Sequence, residues 1–213
     1  MALLIYLCVL IACSGNPAPP QAPATPRTAD APKPVASAHT PGPTDCPPGT
    51  LPVPGGRVVM GETSAESGRD EAPVHTVQVD GFCMDRTEMA TSDGRTPLQV
   101  KRWEDAAATC AGRGGRLPTE AEFEKAARGG CELGRDPATC DAADARPYPW
   151  GSAPPSCLLA NHSAVGPRGP SRCKEGPSTT EGHAPGAGPY GHINLSGNLW
   201  EPCTDWYHPS VYR

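Results

Sequence analysis

The spacing of hydrophobic and polar positions changes several times along this chain, and each change marks an element. In residues 53–61, VPGGRVVMG, a short β-prone run stands between glycines and predicts one strand. Residues 62–72 are polar and predict a loop. From Val74 to Val79 the alternation is strict, with Val74, Thr76 and Gln78 on one side and His75, Val77 and Val79 on the other. This predicts a second, antiparallel strand, on whose surface His75 sits with no second ligand at metal spacing. The period then shifts to 3.6. Trp103, Ala106, Ala107 and Cys110 fall at i, i+3, i+4 and i+7 and predict a helix with one apolar face. Residues 116–130, RLPTEAEFEKAARGG, are more sharply punctuated. Pro118 stops a preceding helix, Thr119 and Glu122 form the S/T-x-x-E capping box, and Gly129-Gly130 ends the run. A helix of about ten residues is expected, with Phe123 and the alanines turned inward.

Composition changes the picture at the N-terminal end. The 213 residues include 28 Pro and 24 Gly with only 5% aromatics, so long connections and a small core are expected. Residues 14–48 are rich in Pro, Ala, Thr and Ser without apolar periodicity, which predicts a disordered, extended tether. Residues 1–13, MALLIYLCVLIAC, carry an apolar run too short to span a bilayer but suited to an export signal. Leu10-Ile11-Ala12-Cys13 resembles a bacterial lipobox, in which Cys13 takes the lipid. No Lys or Arg precedes the run, and an ordinary cleaved signal or a buried apolar terminus is the alternative. The lipobox reading implies a protein of the bacterial cell envelope, held on a membrane by its acyl chains. A net charge of −5 gives no electrostatic footprint for nucleic acid.

Ten cysteines occur. Setting aside Cys8 with the signal and Cys13 for lipid leaves an even set, which in an exported, loop-rich domain reads as disulfides. Cys131 with Cys140 and Cys157 with Cys173 are the local pairings. The sequence shows no CxxC and no Cys/His set at zinc spacing.

The blocks DEAPVHTVQVDGF, DRTEMA, WEDAAATC, RLPTEAEFEKAARGG, YPWG, NLSGNLWE and DWY follow one another in an order that resembles the formylglycine-generating enzyme family, also called sulfatase-modifying factors. The resemblance runs over residues 53–207 and implies an α+β domain at 49–213, a variant of the C-type lectin fold with little regular structure. Active members of that family oxidise a substrate cysteine to formylglycine with copper and dioxygen. Their copper is held by two cysteines downstream of the GNVWEW-like block, where this sequence ends at Arg213. The expectation is therefore a non-catalytic binding or structural module with a protein or peptide partner. The alternative is a copper-dependent oxidase, if the gene product extends past Arg213.

The resemblance also implies calcium sites. Asn194 and Glu201 would give side-chain oxygens and Gly197 and Leu199 carbonyls, the oxygen set a hard cation takes. The first of these positions is often Asp in the family, and here it is the neutral Asn194. Without a cation, Asn194 would cap a turn and Glu201 would be solvated. A second calcium site would begin at Asn161 with the carbonyl of His162, and Glu175 is the nearest candidate acidic partner. Two further departures are Pro202, where the family usually has Trp, and a short interval between Glu88 and Trp103 that is expected to remove a helix.

Overall fold

The computed structural model describes residues 42–62, 71–136, 139–140, 146–166 and 169–207. The lipobox and most of the Pro-rich segment lie outside them. Among the described residues the strands and α-helices follow in order: β1 (Thr50–Val53), β2 (Gly56–Met60), β3 (His75–Val79), β4 (Phe82–Asp85), α1 (Trp103–Gly112), α2 (Glu120–Arg128), β5 (Ser163–Gly166) and β6 (Gly169–Arg172). This is a small α+β fold with few regular elements. No helix among the described residues is long and apolar enough to cross a membrane.

The single strand expected over 53–61 is in fact two. Pro54 has no N–H to give a ladder, and the chain breaks at Pro54-Gly55 before resuming. The four strands then nest. β2 pairs with β3 antiparallel, Gly56 opposite Val79 and Met60 opposite His75, and β1 pairs with β4 outside them, Val53 opposite Phe82 and Thr50 opposite Asp85. On β3 the side of His75, Val77 and Val79 is the more buried one, while Thr76 and Gln78 are exposed. His75 is half-buried, with Nδ1 3.0 Å from the Pro73 carbonyl. β4 is buried along its whole length and so shows no alternation to read.

α2 forms as its sequence directs. The Thr119 hydroxyl accepts from the Glu122 N–H at 3.1 Å, and the Glu122 carboxylate accepts from the Thr119 N–H at 2.8 Å. Glu122 also receives both terminal nitrogens of Arg116, at 2.6 and 2.7 Å, so the residue before Leu117-Pro118 is fixed to the helix start. Phe123, Ala126 and Ala127 face the main core beside Val53, Val58, Met60, Val79, Phe82 and Met84. Ala106 and Cys110 of α1 close a second cluster with Leu117. Trp103, by contrast, is 42% exposed, because its indole N–H reaches out to the Cys203 carbonyl at 2.8 Å and its ring stacks on Trp206.

One buried ion pair joins α2 to the turn that follows it. Lys125 is fully buried and its ammonium donates to Glu132 at 3.0 Å, while the Tyr190 hydroxyl donates to the other Glu132 oxygen. Burial pushes the Lys125 pKa down and Glu132 opposes this; burial and Glu132 together push Tyr190 up. A Cβ on Gly130 would lie 2.2 Å from the Lys125 Nζ and 2.3 Å from a Glu132 oxygen, so only glycine admits the pair.

Disulfides among the described residues bind the loops. Cys131–Cys140 and Cys157–Cys173 are the two local pairings expected, and Cys46–Cys83 ties the end of the Pro-rich segment to β4. Between Glu88 and α1 there is no helix; the Asp93 carboxylate instead accepts from the Arg95 and Thr96 N–H groups and closes a turn.

Candidate functional site

The loop at 194–201 leaves the core at Leu195, which packs with Phe82 and Phe123, so its start is anchored. It then curls tightly. Asn194, Gly197 and Asn198 all adopt left-handed backbone, at φ of 63°, 85° and 67°. Asparagine is among the few residues with a side chain that accept this conformation readily. Gly197 is also required by space, because a Cβ there would lie 2.5 Å from the Asn161 carbonyl oxygen.

Asn194 is 4% exposed. Its amide nitrogen donates to Glu88 at 2.8 Å and to the Thr180 carbonyl at 3.1 Å. Its Oδ1, also buried, has no hydrogen-bond partner among the described residues. Glu201 is buried at 7% exposure, not solvated. Among the described residues neither the Gly197 nor the Leu199 carbonyl accepts a backbone hydrogen bond. Asn194 and Glu201 offer side-chain oxygens to this loop, and Gly197 and Leu199 offer carbonyl oxygens.

Two residues that sequence reasoning passed over organise this site. Asn198 accepts from Asn161 at 3.1 Å and from the Ser178 N–H at 2.7 Å, and it donates to Glu88 at 2.7 Å and the Ser178 carbonyl at 3.3 Å. Glu88, 3% exposed, takes one amide from Asn194 and one from Asn198. Burial pushes its carboxyl up to about 7, and the Asn198 and Asn194 amides pull it down. The EMA block around Glu88 was the available signal, but its partners lie 106 and 110 residues away. Close by in sequence, His192 is fully buried, which pushes its imidazole down to about 4 against the Met84 and Leu51 carbonyls.

The second expected site adjoins the first through Asn198. The Asn161 carbonyl accepts from the Asn198 N–H at 2.8 Å, and the Asn161 amide also donates to the Gly176 carbonyl at 3.0 Å. The His162 carbonyl accepts from the Cys173 N–H at 3.1 Å. Glu175 is exposed beside Gly176, and the neighbouring Lys174 ammonium donates to the Pro177 carbonyl at 3.2 Å. The structure also brings together Cys157, His162 and Cys173, a set that linear spacing did not reveal.

Few regular elements, disulfide-bound loops and a tightly curled loop after GHI define a loop-dominated α+β domain. The model of the sulfatase-modifying factor enzyme 1-like domain matches residues 90–212, and the chain belongs to that family. It is similar to the formylglycine-generating enzyme of Thermomonospora curvata, 34% identical over 127 residues, which cover 52% of this chain and 34% of that protein. It is similar to the hercynine oxygenase of Mycolicibacterium smegmatis, 35% identical over 126 residues, covering 56% of this chain and 26% of that protein. A third relative, the inactive C-alpha-formylglycine-generating enzyme 2 of Mus musculus, is 34% identical over 116 residues, covering 54% and 33%. The chain spans about a quarter to a third of the length of these curated relatives.

Proposed function

We propose that this domain is a calcium-holding, C-type-lectin-like member of the family, acting as a binding or structural module for a protein or peptide partner. Lipid on Cys13 and the Pro-rich tether would display it at the bacterial cell envelope. The observation that carries the calcium reading is the buried Asn194 Oδ1 with no partner among the described residues, set in a loop of oxygen donors. An unpaired buried acceptor costs about 1–3 kcal/mol, a cost that a bound cation removes. Asn194, Gly197, Leu199 and Glu201 would hold the ion, with water completing the six to eight oxygens calcium takes. With a neutral Asn194 at its first position, the site carries less charge than one with Asp, and weaker binding follows. Asn161 and the His162 carbonyl are the corresponding residues for a second ion.

Calcium added to the chelator-treated protein should raise the melting temperature, and Glu201→Ala should abolish that rise. A parent protein whose melting temperature ignores calcium would end the proposal. For the anchor, Cys13→Ser should release the protein from the membrane fraction, and unchanged fractionation would count against lipidation.

A second reading is favoured by relatives named as formylglycine-generating enzymes. In it the gene product is a copper-dependent oxidase converting a protein cysteine to formylglycine. Copper(I) needs soft thiolates, and sulfurs held in disulfides, those of Cys46, Cys83, Cys131, Cys140, Cys157 and Cys173 among them, do not provide them. Aldehyde formation on a cysteine peptide incubated with the copper-loaded protein would decide for the oxidase.

A further inference from the structure

The cluster of Cys157, His162 and Cys173 lies outside the 194–201 loop and has a chemistry of its own. One ligand atom from each residue lies within 4.8 Å of the others. The β5–β6 hairpin explains why. Ser163 pairs with Arg172, so His162 and Cys173 flank the open end of the ladder, and the Cys173 N–H donates to the His162 carbonyl at 3.1 Å. Their proximity is therefore fixed by backbone and does not depend on the Cys157–Cys173 bond. The His162 Nε2 is buried and has no hydrogen-bond partner among the described residues. A buried ring nitrogen left unpaired in one state is explained if it has an occupant in another.

While the sulfurs are joined, neither carries the thiolate charge that binds metal. We propose that Cys157, His162 and Cys173 form a redox-gated site: opening the Cys157–Cys173 disulfide creates two thiolate ligands and an imidazole for one thiophilic d10 cation, Zn2+ or Cu+. The step balances as thiol–disulfide exchange. A dithiol reductant attacks one sulfur as thiolate, the S–S bond breaks, and the reductant closes to its own disulfide. Two electrons and two protons pass to Cys157 and Cys173, and the metal then displaces both protons. Two sulfurs and one nitrogen leave a fourth tetrahedral position for solvent or a ligand.

Access favours this disulfide over Cys46–Cys83 and Cys131–Cys140. Cys157 lies on an exposed stretch, whereas Cys83 and Cys131 are 7% and 8% exposed in theirs. Exchange is governed by access to the attacked sulfur, so a limiting dithiol should open Cys157–Cys173 first. None of this depends on calcium at Asn194 or on the lipid anchor, and either proposal can fail without the other.

The test uses the full chain, treated with a limiting dithiol, freed of it without air, and mapped by alkylation and mass spectrometry. Zn2+ is then titrated in competition with a chromophoric chelator. One Zn2+ should bind per reduced chain and none to the oxidised chain or to Cys157→Ser/Cys173→Ser. His162→Ala, which leaves the disulfide intact, should bind at least about tenfold more weakly after reduction. Co2+ in place of Zn2+ should give sulfur-to-metal charge-transfer absorption in the parent and lose it in the double variant. The proposal is overturned if the reduced parent binds no tighter than the double variant, if His162→Ala binds equally, or if another disulfide opens first.

Discussion

Asn198 is the most informative single position, because four hydrogen bonds and an unusual backbone conformation meet there. In Asn198→Ala, Glu88 loses one of its two amide donors, Asn161 loses an acceptor, and both the N–H and the carbonyl of buried Ser178 lose a partner. A typical hydrogen bond contributes about 1 kcal/mol net, and an orphaned buried N–H costs about 1–3 kcal/mol. The backbone at φ 67° adds roughly 1 kcal/mol for a residue with a Cβ and no local polar compensation. Relaxation and water entry recover part of this, so a loss of roughly 3–5 kcal/mol is expected, a large share of the ~5–15 kcal/mol that holds a domain together. Urea denaturation should show the midpoint falling with an unchanged slope. Asn198→Gly separates the two causes. It loses the same hydrogen bonds but fits the left-handed backbone, and should recover about 1 kcal/mol relative to alanine. An alanine variant within about 0.5 kcal/mol of the parent would refute the hub, and a glycine variant no more stable than alanine would refute the conformational part.

Two further outcomes follow from elements described above. Thr119→Ala removes one arm of the capping box on α2 and should cost about 1 kcal/mol in the same denaturation assay. Replacing Cys46 and Cys83 by Ser opens a closure spanning 37 residues, and the chain-entropy relation gives roughly 4 kcal/mol of lost stability. An unchanged melting temperature in that double variant would show that the end of the Pro-rich segment contributes nothing to the fold.

What the sequence determined by itself was local. The α2 capping box could be read because its partners stand three residues apart, and β3 because its two faces differ in burial. Cys131–Cys140 and Cys157–Cys173 were legible because each closes a short loop, of 9 and 16 residues. The proposed calcium residues Asn194, Gly197, Leu199 and Glu201 were reached through motif order, and the structure adds the burial of Asn194 and Glu201 and an Asn194 oxygen without a partner among the described residues. Tertiary structure alone decided the rest. β1 and β4 could not be read, since β1 is four residues with an internal proline and β4 is buried on both faces. Glu88 and Asn198 became a hub, and Cys157, His162 and Cys173 a cluster, only once the chain had folded. The physical reason is one of range. Caps, turns and alternation arise from hydrogen bonds and burial within a few residues, whereas buried polar atoms choose partners by proximity in space, which linear spacing does not record.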